Sequence, residues 1–448
     1  MYRTTKLVTA LGALAIVVAA CGGGATEAPA TESPTAAPEE TPAATEALTY
    51  QGEITIWNTM RDFEIVEVQK LIDAWTAENP GITVKMDPVP FDGADVKYDQ
   101  AATGKTAPDI FRADIGWTPT FADAGYLLDL TGKIDNINDF LVTPLATNSW
   151  NGKLYGVPQV TDALGLQCNG ELLTEAGLSA PPTTWAELVE KGKAVTDLAA
   201  QKYGFYMRGD SYWAQPFIWG WGGTLFEVDN QGLVTVTVDS PESEKGFNYL
   251  KDSILGTVAP ASWDFASDYD NMNAGFKAGT TMCILQGPWQ VADLLTGDAF
   301  MANPDNLVIA PVPDGETGLT GSPVGGHNYV VYALVADDPA KEAAVLSLLN
   351  HLSTAESQAA LASSVGLLPT RTSAYELDSV KSDPKIAAWG AVLAKATNRS
   401  GVPGASNIYK PFTDNYQLFL KGEKTAAQAL ADMATAWETT VFQDRLAQ

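Results

Sequence analysis

The chain has 448 residues, 46% of them hydrophobic, with 54 acidic and 27 basic side chains and a net charge of −27. A chain of this length and apolar content can bury more than one core. The charge excludes nucleic acid as a partner and adhesion to an anionic membrane through a basic patch, because nothing here would neutralise phosphates; acidity of this kind mostly serves solubility.

In chain order, Arg3 and Lys6 precede an apolar run, Leu7 to Ala20, of secretory type and too short and Ala-rich for a comfortable membrane span. It ends Val18-Ala19-Ala20-Cys21, which resembles the bacterial lipoprotein lipobox. That resemblance implies a signal peptide over residues 1–20 and lipidation of Cys21. Residues 21–50, rich in Pro, Thr, Ala and Glu, cannot bury enough to order themselves and read as a disordered tether.

The body opens with a strand, Glu53 to Trp57, and a helix from Ile65 to Glu78 that Asn79-Pro80-Gly81 stops. A strand over 82–86, a helix over 96–103 and a short strand over 107–111 follow. This alternation predicts a mostly parallel sheet with helices on both faces. Phe121 to Leu130 reads as a helix ending near Gly125 with an extended exit. Asn151-Gly152 marks a hairpin, 164–168 a strand, and 169–177 a short helix.

Thr184 with Glu187 suggests a capping box. Asn230 to Gly232 turns a second hairpin, and Ser240-Pro241 starts a helix to Leu255. The strand "TTMCILQ" stops at Gly287-Pro288, and Trp289 follows at once. Further strands are expected over 307–311 and 329–335, and helices over 340–352, 354–365, 385–396, 409–420 and 425–442. Cys168 and Cys283 each lie in a strand-like run. In an exported chain they could pair or stay as buried thiols, and the sequence leaves both open. Two histidines without a Cys/His cluster argue against a zinc site, and no metal or cofactor is expected.

The segments "ITIWNT", "WTAENPGITVKM", "AATGKTAPDIF", "FADAGYLLDLT", "NGKLYGVPQVTDALGLQCNGELLTEAGLSAPPTTWAEL", "FKAGTTMCILQGPWQ" and "GLLPTR" stand in this order. Together they resemble the extracellular solute-binding proteins of ABC importers, of the maltose-binding, carbohydrate-binding type. The resemblance covers nearly all of residues 52–445. It implies an α/β fold of two discontinuous lobes with a ligand cleft between them, periplasmic-binding-protein-like, type II. The lobes are expected over 51–162 with 305–353, and over 163–304 with 354–448. The implied role is a monomeric, lipid-anchored protein on the outer face of the cytoplasmic membrane or in the periplasm. It would capture a di- or oligosaccharide and deliver it to a membrane permease.

A sugar offers hydroxyls and C–H faces, so its site needs paired polar groups and aromatic rings. Trp289 matches the family's Gly-Pro-Trp stacking residue, and Asp162 its acidic ligand contact where the chain crosses between lobes. Arg112 and Asp114 follow the "PDIF" strand, where ligands gather in doubly wound folds. The family member has Trp near Ala113, and Trp117 is a candidate for the missing ring. Arg61 and Asp62 follow the first strand. Tyr212 and Trp213 match an aromatic loop. Gly326 and His327 lie in a Gly-Gly turn facing the cleft, and Tyr409 falls near a C-terminal stacking aromatic. Each has a plainer reading, as core ring, turn residue or surface pair.

The alternatives are the same importer role with glycerol phosphate or a polyamine, and a lipid-anchored glycoside hydrolase. The last needs two carboxylates across a cleft. No nucleophile elbow, zinc helix or phosphate loop is present, so no enzyme is expected.

Overall fold

The computed structural model describes residues 48–262 and 264–447. The signal segment, Cys21 and the tether up to residue 47 lie outside the described residues. Nine strands build the two main sheets: β1 (Gly52–Asn58), β2 (Ile82–Pro88), β3 (Ile110–Asp114), β4 (Gly156–Ala163), β5 (Gly165–Asn169), β6 (Tyr203–Tyr206), β7 (Thr281–Gln286), β8 (Leu307–Ala310) and β9 (Val324–Val331). The first sheet has the order β2-β1-β3-β9-β4 and the second β8-β5-β7-β6. In the first, β1 runs parallel to β2 and β3, while β9 runs antiparallel to β3 and β4. In the second, β5 is antiparallel to both neighbours and β6 is parallel to β7.

Each sheet carries its own hydrophobic core. One gathers residues from Ile54 to Val160 and from Tyr329 to Leu367. The other gathers residues from Ala163 to Val312 and from Ala359 to Phe442. The helix Asp62–Glu78 shows how the first is built. Its buried positions, Glu64, Val68, Ile72 and Trp75, form one stripe at helical spacing. Against it lies the helix Pro339–Leu352, tied by Trp75 Nε1 donating to Ser347 Oγ at 3.2 Å.

The chain crosses between sheets at Leu164, which alone separates β4 from β5, and again over 311–323. Two expectations about the lobes need correcting. Residues 307–310 pair with β5, so they belong to the second lobe and not the first. The helix Ala355–Val365 serves both lobes: Leu361 and Val365 enter the first core, Ala359 and Ala362 the second.

Local differences have local reasons. The third strand starts at Ile110 and not at Ala107. Pro108 cannot donate to a ladder, and the Asp109 side chain instead accepts from Thr55 N at 2.8 Å and Oγ1 at 3.0 Å. Glu187 does not close a capping box on Thr184; its carboxylate accepts from Thr183 N at 2.9 Å. The last strand spans Val324–Val331, and 333–337 is a 3-10 turn. Cys168 and Cys283 stand opposite each other on β5 and β7 and form a fully buried disulfide.

Candidate functional site

The carboxyl end of β3 delivers Arg112 and Asp114, two residues apart and so on one face of the pleat. Across the ladder, Asp114 faces His327 on β9, and Asp162 on β4 faces Gly325. Gly325 makes the convergence sterically possible. A Cβ there would stand 2.0 Å from Asp162 Oδ1 and 2.7 Å from the Tyr212 hydroxyl. Only glycine lets a first-lobe carboxyl and a second-lobe phenol close over the same backbone. Gly326 beside it has a φ of 141°, so the turn depends on glycine there too.

A guanidinium that no motif marked ties this group together. Arg399 lies in the extended segment after the helix Pro384–Leu393. It is held there because Thr397 pairs with Pro323 on the second crossing. Its Nη2 donates to Asp114 Oδ1 at 2.9 Å and Oδ2 at 3.1 Å, its Nη1 to the Tyr409 hydroxyl at 3.2 Å, and its Nε to the Val324 carbonyl at 3.0 Å. The charged group also sits over the rings of Tyr212 and Tyr409, each at 5.8 Å. Burial opposes its charge, but Asp114 and the two phenols hold its pKa well above the ordinary value. Asp162 has no such partner. Burial, with Asp114 and Glu64 adding, pushes its pKa up to about 7 against the pull of Arg399 and Arg112.

On the second lobe, Gly287-Pro288 ends β7 and turns Trp289 back over the chain. A Cβ on Gly287 would stand 1.9 Å from the indole ring, so the ring lies directly on that glycine. The indole is half-buried, and its Nε1 donates to the Tyr269 hydroxyl at 3.1 Å. Tyr269 also accepts from Arg61 Nη2 at 2.8 Å and donates to Gln290 Oε1 at 3.1 Å, which saturates the phenol. Arg61 thus reaches from the first lobe to the second. Beside this contact a groove of about 680 Å³ opens, lined from both lobes by Arg61, Asp62, Tyr269, Asp270, Asn273 and Gln290 among others.

The residues singled out from sequence therefore divide. Asp114, Asp162, Tyr212, Gly326, His327 and Tyr409 gather around Arg399, with Arg112 behind them. Arg61 and Trp289 meet through Tyr269, and Asp62 is exposed on the groove. Two aromatic expectations differ. Trp117 is buried in a ring column, stacked on Phe91 at 5.2 Å and Phe111 at 5.9 Å. Trp213 is buried, with Nε1 donating to the Leu285 carbonyl at 2.8 Å, as core tryptophans do. Sequence reasoning missed Arg399, Tyr269 and Gln159. Only the last had a signal, its place in the crossing strand "VPQVTDA". Among the described residues no group of three or more His, Cys, Asp or Glu is placed to hold a metal ion.

Two α/β lobes, joined by crossing strands and meeting face to face over a polar and aromatic cleft, are the build of a protein that closes on a small solute. The chain belongs to the bacterial extracellular solute-binding proteins, whose family model matches residues 70–388. The GacH receptor of Streptomyces glaucescens, solved unliganded and in complex with acarbose, superposes with a TM-score of 0.80 at 34% identity, covering 88% of this chain and 99% of that one. A maltotriose-binding protein of Pyrococcus abyssi is 25% identical over 77% of this chain and 72% of its own length. A probable ABC transporter-binding protein of Deinococcus radiodurans is 28% identical over 71% of this chain and 76% of its own.

Proposed function

We propose that this protein captures a sugar, a di- or oligosaccharide, between its lobes and delivers it to the membrane permease of an ABC importer. The observation that carries the reading is the convergence of Asp114, Asp162, Arg399, Tyr212 and Tyr409 from both lobes on one cleft, with Trp289 at its side. Carboxyl, guanidinium and phenol groups recognise hydroxyls, and flat rings cover C–H faces. The relatives named for acarbose and maltotriose support the same ligand class, and the Deinococcus relative supports the importer.

Charge argues against the other ligands. Glycerol phosphate would need free cations, yet Arg399 is bound to Asp114 and Arg112 to Gln159 and Thr59. A polyamine would need free carboxylates, yet Asp114 is paired and Asp162 is pushed toward neutrality. What remains is a dense set of donors and acceptors, which suits a polyol. The lipobox-like Val18-Ala19-Ala20-Cys21 supports anchoring to the outer face of the membrane through Cys21.

Thermal shift of the purified body with mono-, di- and oligosaccharides, glycerol phosphate and spermidine tests the ligand. A shift with sugars alone is expected, and a shift only with the phosphate or the polyamine would overturn the sugar reading. Trp289→Ala is expected to weaken sugar binding at least about tenfold. Intact mass from a native host is expected to show a diacylated chain starting at Cys21; an unmodified start would remove the anchor.

A further inference from the structure

The ladder between β9 and β4 slips once. His327 faces Val160 while Asn328 faces Pro158, so Gln159 is left between them as an extra residue. A bulge bends its strand and re-aims a side chain, and bulges concentrate beside functional sites. Pro158 helps hold this one. It has no N–H to donate to the ladder, and its carbonyl accepts from Thr370 Oγ1 at 2.9 Å.

The re-aimed Gln159 is buried and meets Arg112, whose Nε donates to its Oε1 at 2.6 Å. Arginine carries donors only, so the amide oxygen must face it and the NH2 group must face away. That Nε2 is buried and has no hydrogen-bond partner among the described residues. His327, one ladder position along, is in the same condition: neither ring nitrogen has a partner. Burial and the charges of Arg112 and Arg399 keep the imidazole neutral, with one nitrogen a donor and the other an acceptor. Phe91 stands against its edge, ring centroids 6.0 Å apart. Native proteins rarely bury polar atoms unpaired, and those that persist call for a use. Here two such side chains stand at neighbouring positions of the β9–β4 ladder, at the bulge.

We propose that Gln159 Nε2 and the His327 imidazole form a hydroxyl-recognition subsite on the floor of the first lobe, with Arg112 as the positioning residue that fixes the Gln159 amide. The inference rests on the sugar reading and sharpens it. A sugar hydroxyl both donates and accepts, so it can take an N–H from Gln159 and give its own hydrogen to the imidazole. A deoxy analogue leaves both groups buried and unmet, and it is rejected on that ground.

The test uses calorimetric titration and melting of the purified chain with a saccharide that the wild type binds. His327→Phe keeps the ring's shape and removes both nitrogens. Its melting temperature is expected to stay or rise while affinity falls about tenfold or more. Gln159→Glu keeps the acceptor for Arg112 but replaces the donor, with the same expected loss on an intact fold. Arg112→Met is expected to lose affinity, and Arg112→Lys, which still offers Oε1 a donor, to recover part of it. His327→Phe and Gln159→Glu both binding within about twofold of wild type would overturn the subsite and leave the sugar reading standing. A wild type that binds no saccharide would overturn both.

Discussion

Replacing Asp162 by asparagine probes the electrostatics of the cleft through stability. Asp162 is only 7% exposed, and burial is the main cause that lifts its pKa from 3.8 to about 7. Between these values the folded protein keeps a proton that the unfolded chain has lost. The folded state is therefore favoured at low pH, and this contribution is lost as pH rises toward 7. A lift of about 3 units corresponds to about 4 kcal/mol at 1.36 kcal/mol per unit. Asparagine fills the same space and cannot ionise, so it escapes the loss. Near pH 4 the two proteins should melt within a small fixed offset. By pH 8 the variant should gain about 4 kcal/mol on wild type, roughly 5 °C for a body of this size. His327 acts in the opposite sense in both proteins: its depressed pKa lowers stability as pH falls through 6.5, and it cancels in the difference. Scanning calorimetry of both proteins from pH 4 to 8 at constant ionic strength gives the comparison. A difference in melting temperature that stays flat across that range would refute the reasoning.

Three further changes have definite outcomes. Cys168→Ala with Cys283→Ala opens a loop of 115 residues, and the chain-entropy argument gives a loss of about 5 kcal/mol, read as a lower melting temperature; an unchanged melt would contradict it. Gly287→Ala places a methyl where the Trp289 ring lies, at a φ of −96° that alanine tolerates, so ligand affinity should fall about tenfold with a modest change in melting. Retained affinity would show that the ring's position does not matter. Arg399→Met leaves Asp114 without its guanidinium and should lower stability by about 3 kcal/mol, with a larger ligand-free radius of gyration in solution scattering; an unchanged radius would mean that other contacts hold the lobes.

The fold was legible because it is written locally. Alternating apolar strands, helix stops such as Asn79-Pro80-Gly81 and the ordered motifs carry it, and the first and second strands stand where the pattern put them. The strand Leu307–Ala310 shows the limit. Its pattern says that it is a strand, but nothing in four residues says which sheet it joins. Motifs marked Asp162, which stands opposite Gly325, and Trp289, which bonds Tyr269. No motif marked Arg399, whose partner Asp114 lies 285 residues away. Nor could an aromatic count separate the half-buried Trp289 from Trp117 in the core, because both follow strand ends.

Arg399 links the two lobes at the second crossing. It joins Asp114 on the first lobe to Tyr409 on the second and to the Val324 carbonyl at the second crossing. Each of these acceptors is also a group that a ligand hydroxyl would address. A ligand that takes up any of these acceptors displaces a contact that Arg399 makes, and its observed affinity is its contact energy less what that contact was worth. The unpartnered atoms of Gln159 and His327 act the other way, since a ligand that reaches them satisfies groups otherwise unmet. Only interactions that differ between open and closed forms shift the equilibrium between them.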